Sequence, residues 1–202
     1  LPQNLLQHQD FTLLDIDLSQ PFPSHLPTFD IIFHLGLLQQ HSAAHFTGHL
    51  PQTSNIISHA QNMGSRLFVF APITLDPETI NIGKNSTLFL IGDVYGPGIN
   101  TNHPQDEIQN LISQAAKNDK IILENEGLAP IYPAYIKDVI FAVNKVVFSQ
   151  DQKRVYLGPQ SESSKTRTTN FAYLVSDPVQ TALTVSYEIQ SVLAQIANKD
   201  LG

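Results

Sequence analysis

The sequence predicts an α/β chain built on a mainly parallel sheet, with helices on both faces and a small C-terminal lobe. Three observations lead there. Segments rich in β-branched and aromatic residues alternate with segments of helical periodicity. The run Asp30-Ile31-Ile32-Phe33-His34-Leu35 is apolar on both faces, as parallel strands between two helical layers are. A long amphipathic segment closes the chain, with Val179, Leu183, Ile189, Leu193 and Ile196 on one face.

The elements follow in order. Phe11 to Leu18 reads as a first strand, and the Pro-rich stretch Pro21 to Pro27 forbids a long helix directly after it. Asp30 to Leu35 is the second strand. Ser54 to Met63 reads as a short helix with Gly64 as its C-terminal stop. Arg66 to Phe70 is a third strand, ended by Ala71-Pro72, and Thr87 to Ile91 a fourth that runs into the turn Gly92 to Gly98. Gln105 to Lys117 is helical, with Ile108, Leu111, Ile112 and Ala115 on one face. Lys120 to Leu123 reads as a strand, Ile136 to Phe148 as a helix, Lys153 to Leu157 as a strand and Ser161 to Thr169 as a loop. Asp177 is placed to cap the last helix, with Pro178 at its first position.

Composition narrows the function classes. The chain has 202 residues, 42% hydrophobic and 14% charged, which suits one folded domain with a full core. Its formal charge is −7 and its few Lys and Arg form no basic stripe, so nucleic acid is not an expected partner. Cysteine is absent, which removes disulfides, thiolate metal sites and Cys nucleophiles together. No apolar run is long enough to span a bilayer, and Leu1 to Asp10 lacks the pattern of a signal peptide. The expected location is cytoplasmic. The triplet Asn85-Ser86-Thr87 fits a glycosylation acceptor but carries little without a secretion signal.

Four segments in this order resemble the extended short-chain dehydrogenase/reductase family, of the NAD-dependent nucleotide-sugar epimerase/dehydratase type. Phe29 to Gly36, F-D-I-I-F-H-L-G, resembles the family's "D-h-h-h-H-L-A-A" strand. Asn55 to Phe70 resembles the helix and strand that precede the family's catalytic serine or threonine. Asp93-Val94-Tyr95-Gly96-Pro97-Gly98 resembles the "N-V-Y-G-P-G" turn that helps to hold the nucleotide sugar. Gly127 to Val139 lies without a gap on "G-x-Q-T-R-D-F-x-Y-V-D-D-V". The resemblance implies an incomplete Rossmann-like fold in a single degenerate domain, about 11–123 as the Rossmann-like part and about 124–202 as the lobe and last helix. It also implies candidate ligand contacts at Asp17 (the acidic strand end near the adenine), Leu35, Gly36, Ala71, Thr74, Tyr95, Gly96, Pro97 and Tyr135.

The family's chemistry is incomplete in these residues. A dinucleotide pyrophosphate needs a Gly-rich turn at a helix N-terminus. No such motif occurs, and the first glycine is Gly36. The family's proton transfer uses a tyrosine with a lysine one helical turn on, which places both on one face. No Tyr-x-x-x-Lys exists here, and no tyrosine precedes Tyr95. Pro72 to Ser86, where the family carries that helix, has room for a loop or one short helix only. The family's diphosphate-binding arginine falls on Ile131, and the first of its two following aspartates on Lys137, while Asp138 remains.

No catalytic residue and no cofactor is therefore expected; NAD(P) is the cofactor if there is one. The expectation is a non-catalytic scaffold or weak binder of a nucleotide or nucleotide sugar. One alternative is an active enzyme completed by a missing or partner-supplied N-terminal unit. Another is an assembly protein that self-associates through a sheet edge or the last helix. Without the family's first unit, which the resemblance puts before this chain's start or has as lost, the edge beside Asp30 to Leu35 would be bare, so that edge is expected to be covered by the Phe11 to Leu18 strand, by the N-terminal arm or by another chain, with a homo-oligomer or a protein partner implied. A weak alternative is metal binding by His41, His45 and His49, spaced four apart. Gly48 and Pro51 argue for a polar loop there instead.

Overall fold

The computed structural model describes residues 6–23, 26–39, 43–83, 85–98, 106–118, 120–149, 170–175 and 179–199. Its central sheet has the order β1-β2-β3-β7, where β1 is Ile31–His34, β2 Arg66–Pro72, β3 Ser86–Ile91 and β7 Asn170–Leu174. Every pairing is parallel, with His34 opposite Val69, Val69 opposite Leu88 and Leu88 opposite Phe171. Both faces are covered, which is why the strands carry apolar residues on each side. Leu67, Val69 and Ala71 face one layer, where Ile56, Ile57 and Ala60 of helix α1 (Ala43–Met63) meet Leu88 and Leu90. Phe68, Phe70 and Phe89 face the other, against Val139, Ala142 and Val147 of helix α3 (Ile136–Phe148). Four ring pairs among Phe33, Phe68, Phe70 and Phe89, with centroids 5.0–6.1 Å apart, knit that face together.

A second, smaller cluster lies beyond the sheet. Helix α2 (Glu107–Asn118) buries Ile108 and Leu111 against Ile131 of strand β5 (Pro130–Ile131) and against Ala182 and Val185 of helix α4 (Ala182–Lys199). Strand β5 pairs antiparallel with β8 (Gln180–Thr181), and β4 (Asp93–Tyr95) pairs parallel with β6 (Pro133–Tyr135). The parts of the chain interleave. Strand β7 and helix α3 build the sheet layers, while α2 belongs to the lobe cluster.

Several expectations are met. The strands at 31–34, 66–72 and 86–91 and the helix at 136–148 stand where the sequence puts them. Helix α1 ends as expected at Gly64, whose φ of +71° is the left-handed conformation. Ser65 N–H donates to Ala60 O at 2.9 Å and Gly64 N–H to Gln61 O at 3.3 Å, a Schellman closure.

Others are corrected. Phe11 to Leu18 forms no strand. Asp17 accepts hydrogen bonds from the Ser19 N–H (2.9 Å) and hydroxyl (2.7 Å), and this turn breaks an extended run before it can pair. The arm then lies along α1, where Asn55 Nδ2 donates to Leu18 O at 3.0 Å and Phe22 stacks on His59 at 4.5 Å. Among the described residues β1 therefore remains an edge strand, with Phe33 48% exposed. Helix α1 begins at Ala43 rather than Ser54 and runs through Pro51. A proline removes one bond from the ladder of so long a helix, and docking of Ile56, Ile57 and Ala60 on the sheet stabilises the remainder. Lys120 to Leu123 is not a strand: Ile122 N–H bonds the Gln114 side chain at 2.7 Å, and Ile121 and Leu123 pack on the lobe cluster.

Helix α4 starts at Ala182, capped by Thr181 Oγ1, which accepts from Thr184 N–H at 3.2 Å. Val179 therefore precedes the helix and is exposed, and Leu193 and Ile196 are exposed rather than part of a buried stripe. Asp177, Pro178, the strand expected at Lys153 to Leu157 and the loop at Ser161 to Thr169 lie outside the described residues. Strand β7 is absent from the sequence reading. Its alternation is nonetheless present, with Ala172 and Leu174 toward α3 and Phe171 and Tyr173 toward α1.

Candidate ligand-binding crevice

Because the four central strands are parallel, their carboxyl ends share one edge. In open α/β sheets that edge is where ligands bind. Leu35 and Gly36 leave β1 there, exposed, at the start of a 3-10 turn Gly36–Gln39. Thr74 is exposed beyond β2, where Ile73 N–H still bonds Ile91 O at 2.8 Å and Leu75 N–H turns back to Pro72 O at 2.9 Å. Strand β3 continues through Gly92 into β4, which brings Tyr95, Gly96 and Pro97 to the same edge, and the register sets Tyr95 opposite Tyr135. Their rings lie 5.4 Å apart at 42°.

Gly96 is required where it stands. Its φ is +138°, and a Cβ there would lie 2.6 Å from Ile136 Cγ2 and 3.0 Å from the Tyr135 ring. Gly92 is equally constrained, since a Cβ would lie 2.0 Å from Tyr132 O. These two glycines let the β3–β4 passage pack directly on β6.

The electrostatic centre of this edge is a pair of carboxylates that the sequence reading missed. Asp93 Oδ2 accepts the Tyr132 N–H at 2.8 Å, while Asp93 N–H donates to Tyr132 O at 2.7 Å. Asp106 caps α2: its Oδ1 accepts the Gln109 N–H at 2.9 Å. Its Oδ2 accepts the Val94 N–H at 3.1 Å and Gln109 Nε2 at 3.0 Å, and the same amide nitrogen donates to Val94 O at 3.2 Å. Burial raises the Asp93 carboxyl above its ordinary range against the pull of the backbone N–H groups of Tyr132, Asp93 and Glu107. Burial, with the Asp93 charge adding to it, pushes Asp106 up to about 6. The signal was present in sequence: an aspartate with a glutamine three residues on, just before a helical stripe, is a capping pattern.

Two expected residues stand elsewhere. Ala71 is fully buried in the α1-side core and cannot wall a ligand. Asp17 is exposed on the N-terminal arm, where its bonds to Ser19 hold its carboxyl below the ordinary range. It ends no strand. Of the histidines, His41 lies outside the described residues, and His45 and His49 fall on α1 at helical spacing, with side chains outside the description. His34 is buried, its Nε2 3.0 Å from Thr53 Oγ1 on α1. No group of metal-ligating side chains occurs among the described residues.

Two hollows are lined by described residues. At the carboxyl edge a cavity of about 130 Å³ is lined by Tyr135, Asp138, Val139, Leu174 and Val175, too small for a nucleotide sugar. A larger hollow of about 590 Å³ opens at the opposite edge, lined by Gln61, Ser65, Asn81, Asn85 and Ser86. It lies at the amino ends of β2 and β3, away from the candidate residues. No helix among the described residues is long and apolar enough to cross a membrane.

No protein-family model and no curated protein matches the chain. Solved structures do. The dTDP-glucose 4,6-dehydratase of Bacillus anthracis, solved in complex with NAD, superposes with a TM-score of 0.55 at 12% identity, covering 82% of this chain and 57% of its own. The UDP-glucose 4-epimerase of Thermotoga maritima, solved with UDP-glucose, gives 0.55 at 12%, covering 81% and 60%. The ADP-L-glycero-D-manno-heptose-6-epimerase of Helicobacter pylori gives 0.57 at 13%, covering 87% and 63%. The chain spans about three-fifths of the length of these structures. It has the α/β Rossmann-like fold of the NAD-dependent nucleotide-sugar epimerases and dehydratases over that part of their length.

Proposed function

We propose that this chain is a degenerate epimerase/dehydratase-like protein that does not catalyse the reaction of its structural neighbours and acts as a scaffold or a weak nucleotide or nucleotide-sugar binder. The observation that carries this reading is the connection between β2 and β3. It contains no tyrosine and folds as a tight turn, a 3-10 turn Pro77–Thr79 and buried Ile80 and Ile82. A tyrosine–lysine pair one helical turn apart has no helix to stand on there. Ile131, where an arginine would meet a diphosphate, is fully buried in the lobe core. The remaining equipment of the edge is the Tyr95–Tyr135 ring pair and the Gly96 turn, which suit contact with a planar or sugar group rather than proton transfer. Incubation of the purified chain with NAD and a panel of UDP-, dTDP- and GDP-sugars, with products followed by NMR, is expected to return the sugars unchanged. Conversion of any of them would overturn the reading.

A second reading is favoured by the β1 edge. Among the described residues β1 has no neighbour on one side, as β7 has none on the other, and unpaired edges invite strand pairing. Phe33 there stacks on Phe68 at 5.4 Å with half its surface in solvent. Helix α3, on the same face of the sheet, exposes Ile140, Phe141 and Phe148. A partner strand and helix, from a second copy or from a chain carrying a nucleotide-binding unit, would bury these groups. In the latter case NAD(P) would be bound jointly. Multi-angle light scattering on the isolated chain separates the two, because only self-pairing raises its mass.

A further inference from the structure

The start of helix α3 sets four side chains in one stripe. Tyr135 stands at its cap, and Asp138, Val139 and Ala142 follow at three, four and seven residues on, the spacing that shares a helix face. That stripe forms one wall of the small cavity at the carboxyl edge. Ala134 of β6, with Leu174 and Val175 at the end of β7, forms the other.

The cavity measures about 130 Å³, room for a small group of heavy atoms. Its lining is aliphatic except at two places. Tyr135 contributes an aromatic ring, backed by the Tyr95 ring at 5.4 Å between centroids and by the close approach of Gly96. Asp138, itself exposed, contributes a carboxylate, and no described cation pairs with it.

Ring, carboxylate and aliphatic wall together suit one kind of group. An ammonium ion with methyl or short alkyl substituents lays its carbons on the aliphatic surface, and its spread positive charge meets the ring and the carboxylate. The surroundings favour the same sign of charge. Asp93 and Asp106 lie on this edge, and the whole chain has a formal charge of −7. Lys137 is next to Asp138 in sequence, but it is exposed and falls off the stripe.

We propose that this cavity binds a small organic ammonium ion as a free ligand, with the Tyr135 ring against its alkyl groups and Asp138 against its charge.

A carrier that joins the same ammonium to a phosphate, as phosphocholine or a choline lipid does, brings an anion toward Asp138 as well. The site therefore selects the free amine. Its occupation does not depend on a nucleotide, so it stands or falls separately from the scaffold reading.

Amide NMR spectra of the folded chain are followed while one of four probes is added at constant ionic strength. These are choline, tetramethylammonium, phosphocholine and dimethylbutanol, the last being choline with carbon in place of nitrogen. Choline and tetramethylammonium are expected to shift the Val139, Ala142 and Val175 amides saturably, in the millimolar range. Phosphocholine and the uncharged alcohol are expected to bind at least about fivefold more weakly. Asp138→Asn is expected to weaken choline about fivefold and to leave the alcohol unchanged. Tyr135→Leu is expected to weaken choline about two- to fivefold. Equal binding of choline and the alcohol would reduce the cavity to an apolar well and overturn the proposal. So would phosphocholine binding as tightly as choline, no saturable shift from either cation, or an Asp138→Asn chain that binds choline as before. If Tyr135→Leu does not fold, the comparison of probes and the exposed Asp138 decide the matter.

Discussion

Asp106 pays for its place with a proton affinity raised well above that of a free aspartate, and the consequence for stability has a definite sign. Its folded-state pKa of about 6 lies above the ordinary 3.8, so between those values the folded chain holds a proton that the unfolded chain has lost. The associated stability is fully present below about pH 4 and is lost as pH rises through about 6. Urea unfolding midpoints are therefore expected to fall from pH 5 to pH 7 more steeply in the native chain than in Asp106→Asn. Equal slopes would mean that Asp106 does not titrate in that window. Gly96 carries the second residue-level expectation. With φ at +138° and Ile136 in the way, Gly96→Ala is expected to cost about 1–3 kcal/mol, read as a lowered unfolding midpoint. An effect within a few tenths would show that the turn yields freely.

At this scale the sequence was legible where a residue type has one physical use. Gly64 as a helix stop and Gly96 in a tight turn were readable because a positive φ selects glycine. Asp17 was misplaced because an aspartate after an apolar run serves equally as a strand end or as the acceptor of an Asx turn. Only the position of Ser19 decides between them.

Helices and strands that pack on both sides were legible for a related reason. The periodicity of β1, β2, β3 and α3 records burial, and burial is what the fold supplies. Helix α3 shows what periodicity leaves out. Its C-terminal carbonyls at Val147 and Val146 receive the Arg66 guanidinium at 2.6 and 3.3 Å, and that same group lies 5.1 Å from the Phe68 ring centre. This tie between residues far apart in sequence could not be read from either segment alone. Arg66→Gln is expected to destabilise by about 1–2 kcal/mol through lost carbonyl bonds, dipole interaction and ring contact. Arg66→Lys should recover only part of that, since a lysine cannot meet two carbonyls with a planar fork. The extra length of α1 was hidden by a single proline, because tertiary docking outweighs one missing N–H. Strand β7 went unread although its alternation is regular, and it forms the sheet edge opposite the open β1 edge. That open edge yields a further expectation. Phe33→Glu should change stability by less than about 1 kcal/mol, because the ring is half in solvent, yet reduce any self-association measured by light scattering. Unchanged association would place the contact elsewhere, with the exposed end of α4 as the next region to test.

For the whole molecule, the order of the parallel strands does more than any single motif. It gathers Leu35, Gly36, Thr74, Tyr95, Gly96, Pro97 and Tyr135 to one edge, although they span a hundred residues of chain. The resemblance in sequence suggested these positions, and the parallel topology sets their strand ends on one side. Neither supplies the chemistry, since the glycine-rich turn and the tyrosine–lysine helix have no counterpart in these residues. The core of the fold depends instead on buried apolar groups on both faces of the sheet, whatever chemistry the edge carries.

The proposal put forward above is that this chain does not bind a nicotinamide cofactor by itself. Isothermal calorimetry of the folded chain with NAD(H) and NADP(H) tests it most directly, with circular dichroism confirming that the sample is folded. No saturable heat from either cofactor is the result expected of a scaffold or weak sugar-nucleotide binder. Saturable one-to-one binding of either would contradict it, because a pyrophosphate site would then exist without a glycine-rich turn.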